Sequence, residues 1–449
     1  MKDLRINRRA FIKQAVMGSL GAAAYVSSGL RMVSAAATPG SDYKALVCVF
    51  LYGGNDSFNM FTPMTGASRQ AYEDVRGNLA RPLGLEVTPA NMTFADGIAF
   101  DQNMSALRTL FNNGALAIQG NVGPLVVPMY NSDGSVNSNA KKPHGLYAHD
   151  GSQENWMRGA DLNQKMGGWG GRMLDSWHNN NAVQEANFIR DISLGGTNTW
   201  QQGIRYSPYA TNSDGFIETS FLTTGTGLLS TRTNAINNYR TNFSTSNRLQ
   251  QAFFDLYSSA IDNNASLATQ IAAVADSTVT YPATNLGTQL NTVAKLIEIG
   301  RANGVGRQIF FVGLGGFDTH KNQVNTHPAL LTTLSEALAS FYQDTQVKGI
   351  ENEVTTFTMS EFGRSLRSNG DGTDHGWAGH QLILGGSVDG NKIYGDMPEQ
   401  TVDFNLIPTT ANEQMFASLA TWFGVSQPDI NELFPNLHQF NNDINYFRS

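Results

Sequence analysis

Cysteine is almost missing from this chain, and the single example, Cys48, excludes any intrachain disulfide. Cys48 lies in the apolar run 45–51 and reads as a small buried hydrophobe, with nothing nearby to stabilise a thiolate. Charge is also scarce: 15% of residues are charged, the net charge is −7, and no basic tract is present. That excludes tight nonspecific nucleic-acid binding. The nearest approach to a membrane span, residues 15–26, is too short and too rich in Gly, Ala and Ser for a stable one. Neither an internal repeat nor a long linker interrupts the chain. What the 449 residues do hold is abundant Gly, Asn, Ser and Thr, a composition that favours turns and surface loops. The length suits one large α/β domain or two ordinary ones.

The N-terminus reads as an address rather than as part of the fold. Asn7-Arg8-Arg9-Ala10-Phe11-Ile12-Lys13 is a twin-arginine signature, a mildly apolar segment follows, and Ser34-Ala35-Ala36-Ala37 offers a cleavage site. Residues 1–37 are therefore expected to be a signal peptide. The mature protein, 38–449, is expected in the periplasm or secreted, with the twin-arginine translocase as its partner during export. That route carries folded proteins, which suits a chain without cysteine pairs.

Three short apolar runs mark buried strands: residues 43–52, 309–314 and 354–359. Residues 115–119 and 381–384 read as two more. Helices are expected over 107–111, after the glycine-rich run 167–172 and through Trp177, over 286–302, 328–347 and 411–423, the last capped by Gly424. Helix followed by strand, repeated, argues for parallel α/β architecture. Residues 197–284 are rich in Thr, Ser and Asn and read as a helical insertion, with helices near 231–260 and 266–276.

The chemistry-bearing residues gather after those strands. Asp56 follows the first, behind Gly53-Gly54, and reads either as a site residue or as a turn aspartate capping the next element. Asp318 and His320 follow the second. Glu361 follows the third, with Arg364 close enough in sequence for an ion pair. Asp374-His375 lies in a glycine-rich loop beyond, as a site pair or a self-contained hydrogen-bonded pair. His149, beside Asp150, is either a site residue or an Asp-paired surface histidine. Ligands of open α/β sheets sit outside the carboxyl ends of the strands, and carboxylates with imidazoles are usual ligands of divalent metals. Several carboxylates converge only where cations offset their repulsion. Two ions would lie roughly 3.5–4 Å apart and clamp a displacement at phosphorus or sulfur.

Four motifs occur in order: Gly53-Gly54-Asn55-Asp56-Ser57-Phe58-Asn59, Gly315-Gly316-Phe317-Asp318-Thr319-His320, Ser360-Glu361-Phe362-Gly363-Arg364 and Gly372-Thr373-Asp374-His375-Gly376-Trp377. With the arginine-pair leader they closely resemble an exported bacterial family, domain of unknown function 1501, of the alkaline phosphatase-like superfamily that includes sulfatases. The resemblance runs from the leader to about Pro398 and is weakest over 197–284. It implies a three-layer α/β/α sandwich with a mostly parallel central sheet. It also implies a metal set of Asp56, Asp318, His320, Glu361 and His375, holding one or two divalent ions (zinc, manganese, calcium or magnesium). Phe362 stands where many superfamily members have a ligand histidine, for which Asp374 or His380 could compensate. The position of the superfamily's nucleophile corresponds to Ala148, leaving Ser152 or water activated at the metal, with His149 near the leaving group. The implied function is an exported metal-dependent hydrolase of phosphate or sulfate esters, acting on a small-molecule or polymeric ester. The other reading is a catalytically degenerate binding or assembly protein of the same fold.

Overall fold

The computed structural model describes residues 42–131, 133–138, 140–159, 167–180, 188–217, 228–397, 405–440 and 444–448. The leader, with Arg8, Arg9 and the cleavage site, lies outside the described residues. At the centre is a nine-stranded sheet. In chain order its strands are β1 (Lys44–Leu51), β2 (Leu116–Gly123), β3 (Asp191–Ser193), β4 (Tyr209–Ala210), β5 (Arg307–Leu314), β6 (Val354–Met359), β7 (Gly379–Gly385), β8 (Ile393–Tyr394) and β9 (Thr410–Ala411). They lie side by side as β8-β2-β7-β6-β1-β5-β3-β4, with β9 also on β2. Every pairing is parallel except those of β7 with β2 and β6.

β1 is central and buried on both faces, which is why it reads as one continuous apolar run. Ala45, Val47, Val49 and Leu51 enter one core; Leu46, Cys48 and Phe50 enter the other. The ten α-helices among the described residues are α1 (Gly66–Arg76), α2 (Ser105–Asn112), α3 (His149–Arg158), α4 (Trp169–Asn180), α5 (Leu228–Asn242), α6 (Arg248–Ala273), α7 (Asn285–Ala302), α8 (Gln323–Val347), α9 (Asn412–Phe423) and α10 (Gln427–Leu433). The first core is closed by α2, α7 and α8, through Leu107, Leu290, Ile297, Leu334 and Phe341 among others. The second is closed by α4, α9 and α10, through Trp169, Trp177, Phe416 and Ile430. The result is the three-layer α/β/α sandwich with a mostly parallel sheet that the family resemblance implies. Among the described residues, no helix is long and apolar enough to cross a membrane.

Some local expectations change. The strand expected at 381–384 is longer, and it runs antiparallel because the chain between β6 and β7 forms a hairpin (Arg364–Ser368 with Thr373–His375) rather than a crossover helix. Asp374-His375 therefore sits on a short strand, not in a free loop. α8 begins five residues before Pro328, so Gln323 is helical. In 197–284 the break falls after Asn242 rather than near Ala260. Asn247 accepts from the backbone N–H of Leu249 and Gln250, and so caps α6. β4, within the expected insertion, pairs with β3 in the central sheet.

Two buried histidines beneath the sheet edge carry a pH consequence. Burial holds His327 down at about 4 and His380 at about 3, against about 6.5 in an unfolded chain. Below pH 6.5 the unfolded chain binds protons that the folded one refuses. Stability is therefore complete above that pH and falls as pH drops toward 4 and then 3, by up to about 1.4 kcal/mol per pH unit for each group. Urea-unfolding midpoints at pH 7.5 and 5 measure this fall, and His380→Gln should flatten it; an unchanged midpoint in the wild type would contradict the assignment.

Candidate active site

Three neighbouring parallel strands, β5, β1 and β6, end at the same sheet edge, and each delivers an acid there: Asp318, Asp56 and Glu361. The turn after β1 depends on glycine. Gly53 has φ +113°, and a Cβ on it would sit 2.2 Å from the Asp318 backbone nitrogen. Its N–H donates to Glu361 Oε1 at 2.8 Å. The hairpin before β7 brings His375 to the same edge, and α3 begins there with His149.

Asp318 is the hub. Its Oδ1 lies 3.1 Å from His320 Nε2 and 3.2 Å from His375 Nε2, and those two nitrogens are 2.9 Å apart. His149 Nε2 is 3.6 Å from Asp318 Oδ2. His149, Asp318 and His375 each offer a ligand atom, all within 4.8 Å of one another, so this group could hold a metal ion. Asp318 is 46% exposed, so the cluster opens to solvent. Burial alone would raise the Asp318 carboxyl, but the hydrogen bond and positive charge of Arg364 outweigh it and hold it below the usual range.

Each imidazole is held from behind. His375 Nδ1 is 2.7 Å from the carbonyl oxygen of Tyr147, which can only accept, so Nδ1 carries the proton. Tyr147 itself has φ +72°, a costly conformation for a tyrosine. Burial lowers the His375 pKa, which favours the neutral ring and leaves Nε2 with a free lone pair. His149 Nδ1 is 3.0 Å from Glu361 Oε1, which also accepts from Gly53 and Gln153. His320 Nδ1 is 3.4 Å from Asp374 Oδ1. Outer acceptors of this kind set the tautomer of metal-binding histidines.

The donor set fits a divalent ion. Nitrogen lone pairs and carboxylate oxygens face one another at 2.9–3.2 Å, near the roughly 3.3 Å expected between tetrahedral ligands of zinc. Glu361 Oε2 is buried beside them without a hydrogen-bond partner.

Other residues fall elsewhere. Asp56, expected as a ligand, is fully buried away from the cluster, with both oxygens engaged by Arg76 at 2.8 and 2.9 Å and Oδ2 also accepting from Gln323 at 2.5 Å. Glu361 reaches the cluster through His149. Arg364 pairs with Asp318 at 2.7 Å, not with Glu361. Asp374 and His375 do not pair with each other: Asp374 lies against His320 and Asn369. Ser152 is buried inside α3 and donates to the Gly145 carbonyl at 3.2 Å, which leaves it turned into the fold. His380 accepts from the Asn121 N–H and packs against Phe58 and Phe61, which makes it a core histidine. Phe362 stacks on His375, with ring centroids 4.2 Å apart. Arg76 and Gln323 carry no signal in the sequence, because their importance depends on where Asp56 points.

These features belong to a chain of one family. The model described as "Protein of unknown function (DUF1501)" matches residues 43–434, and the chain belongs to that family. No curated protein matches the sequence. Among solved structures, the lipoteichoic acid synthase LtaP from Listeria monocytogenes aligns at TM-score 0.35 and 9% identity, covering 90% of this chain and 78% of that one. The C-terminal periplasmic domain of EcEptC from Escherichia coli, in complex with Zn, aligns at 0.35 and 10%, covering 90% and 89%. The PsFucS1 sulfatase from Pseudoalteromonas sp. aligns at 0.36 and 9%, covering 90% and 74%. Overlap at these scores carries no argument about activity.

Proposed function

We propose that this protein is an exported, metal-dependent hydrolase of phosphate or sulfate esters. One observation carries the reading: imidazole nitrogens and a carboxylate converge as acceptors at an open sheet edge. Asp318, His320 and His375 would hold the ion, and three protein ligands with an open position are the pattern of catalytic metal sites. Imidazole nitrogens favour zinc over manganese, calcium or magnesium, which prefer oxygen. A bound ion would polarise the ester oxygens and supply a nucleophile from water at neutral pH.

The chain's own groups do the rest. Arg364 keeps Asp318 anionic. His149, its Nδ1 proton held by the buried Glu361 carboxylate, would in the protonated, imidazolium form offer its Nε2 proton to a leaving oxygen. His149→Gln should keep the metal and lower kcat on 4-nitrophenyl phosphate or sulfate by about 100-fold or more. Loss of metal in that variant would make His149 a ligand instead, and unchanged kcat would remove it from the reaction.

Export by the twin-arginine route rests on Arg8-Arg9. Replacing both with lysine should leave the protein in the cytoplasm; continued export would sink that part of the reading. A degenerate binding protein is the second reading, favoured by Ala148 and by the locked Asp56. Metal-loaded protein without activity on either ester class would support it.

A further inference from the structure

We infer that this site takes one metal ion, not two, because Arg76 occupies the charge role of a second. The inference rests on the hydrolase reading for its first ion and decides between the one or two ions that the family resemblance leaves open. Arg76 is the last residue of α1, and its side chain is fully buried beside a fully buried Asp56. The pair is bidentate: Nη1 to Oδ2 at 2.9 Å and Nη2 to Oδ1 at 2.8 Å. Gln323 adds a third donor, and the Phe58 ring lies 5.9 Å from the guanidinium. A fork of this kind matches a carboxylate in both geometry and charge.

To ligate an ion, Asp56 would have to release those donors and strand a guanidinium in dry surroundings, which is strongly unfavourable. Among the described residues, nothing comparable guards the open cluster. Arg364 engages one oxygen of Asp318 but also donates to the carbonyls of Gly54, Phe317 and Thr373. Asp318 keeps its other oxygen and its exposure. One carboxylate is thus closed to metal and the other open.

The test is a count. Metal-stripped mature protein is titrated with Zn²⁺ by calorimetry, and the ion retained after desalting is measured per chain. One equivalent is expected in the wild type and again in Asp56→Asn. Two equivalents in the wild type, or loss of the bound ion in a folded Asp56→Asn, would overturn the inference. Zero equivalents would remove the hydrolase reading and this inference with it, a different result from two. Should Asp56→Asn fail to fold, the wild-type count decides alone.

Discussion

Asp318→Asn should lose the metal and all ester hydrolysis while remaining folded. The carboxylate sits between His320, His375 and His149, and it supplies the only negative charge in direct contact with all three rings among the described residues. An amide in its place offers a weaker oxygen and turns an N–H toward lone pairs, so metal affinity should fall by more than about 100-fold, beyond the usual cost of losing an outer partner. Stability should barely move. Asp318 is half-exposed, and Arg364 retains its three carbonyl partners. Urea unfolding of metal-free wild type and variant should give coincident midpoints. Wild-type activity in the variant would contradict the account.

Arg76→Met should do the reverse. It leaves Asp56 as a buried carboxylate with Gln323 as its remaining side-chain donor, and breaking such a pair costs about 3–5 kcal/mol. Replacing both partners is a different experiment. Asp56→Leu with Arg76→Met exchanges the ion pair for apolar volume and should recover much of the loss. A double-mutant cycle on unfolding free energy measures the coupling. A single variant within about 0.5 kcal/mol of wild type would show that Asp56 has other support. Two aspartates at one sheet edge thus separate: one acts in metal binding without much stability, the other in stability without metal.

That division marks the limit of what the sequence shows. β1, β5 and β6 are legible because strands buried on both faces must be apolar throughout, and the acids after them follow from the architecture. Asp318, His320 and His375 meet as the motifs suggest. The direction in which an acid points depends on partners far along the chain. Nothing near Asp56 announces that Arg76, one helix later, will take it. His149 begins α3, whose polar sequence His-Asp-Gly-Ser-Gln-Glu-Asn shows no helical stripe to mark its start. Ser152 and His380 show the same ambiguity in reverse, since reactive residue types are also satisfied by one backbone partner in a core. β7 could not be oriented because a chain return without a helix looks like any polar loop.

The most direct test of the metal centre is elemental analysis of natively exported protein, purified without chelator, beside Asp318→Asn. The account predicts near-stoichiometric zinc in the wild type and its loss in the variant. A folded, metal-free wild type would contradict it.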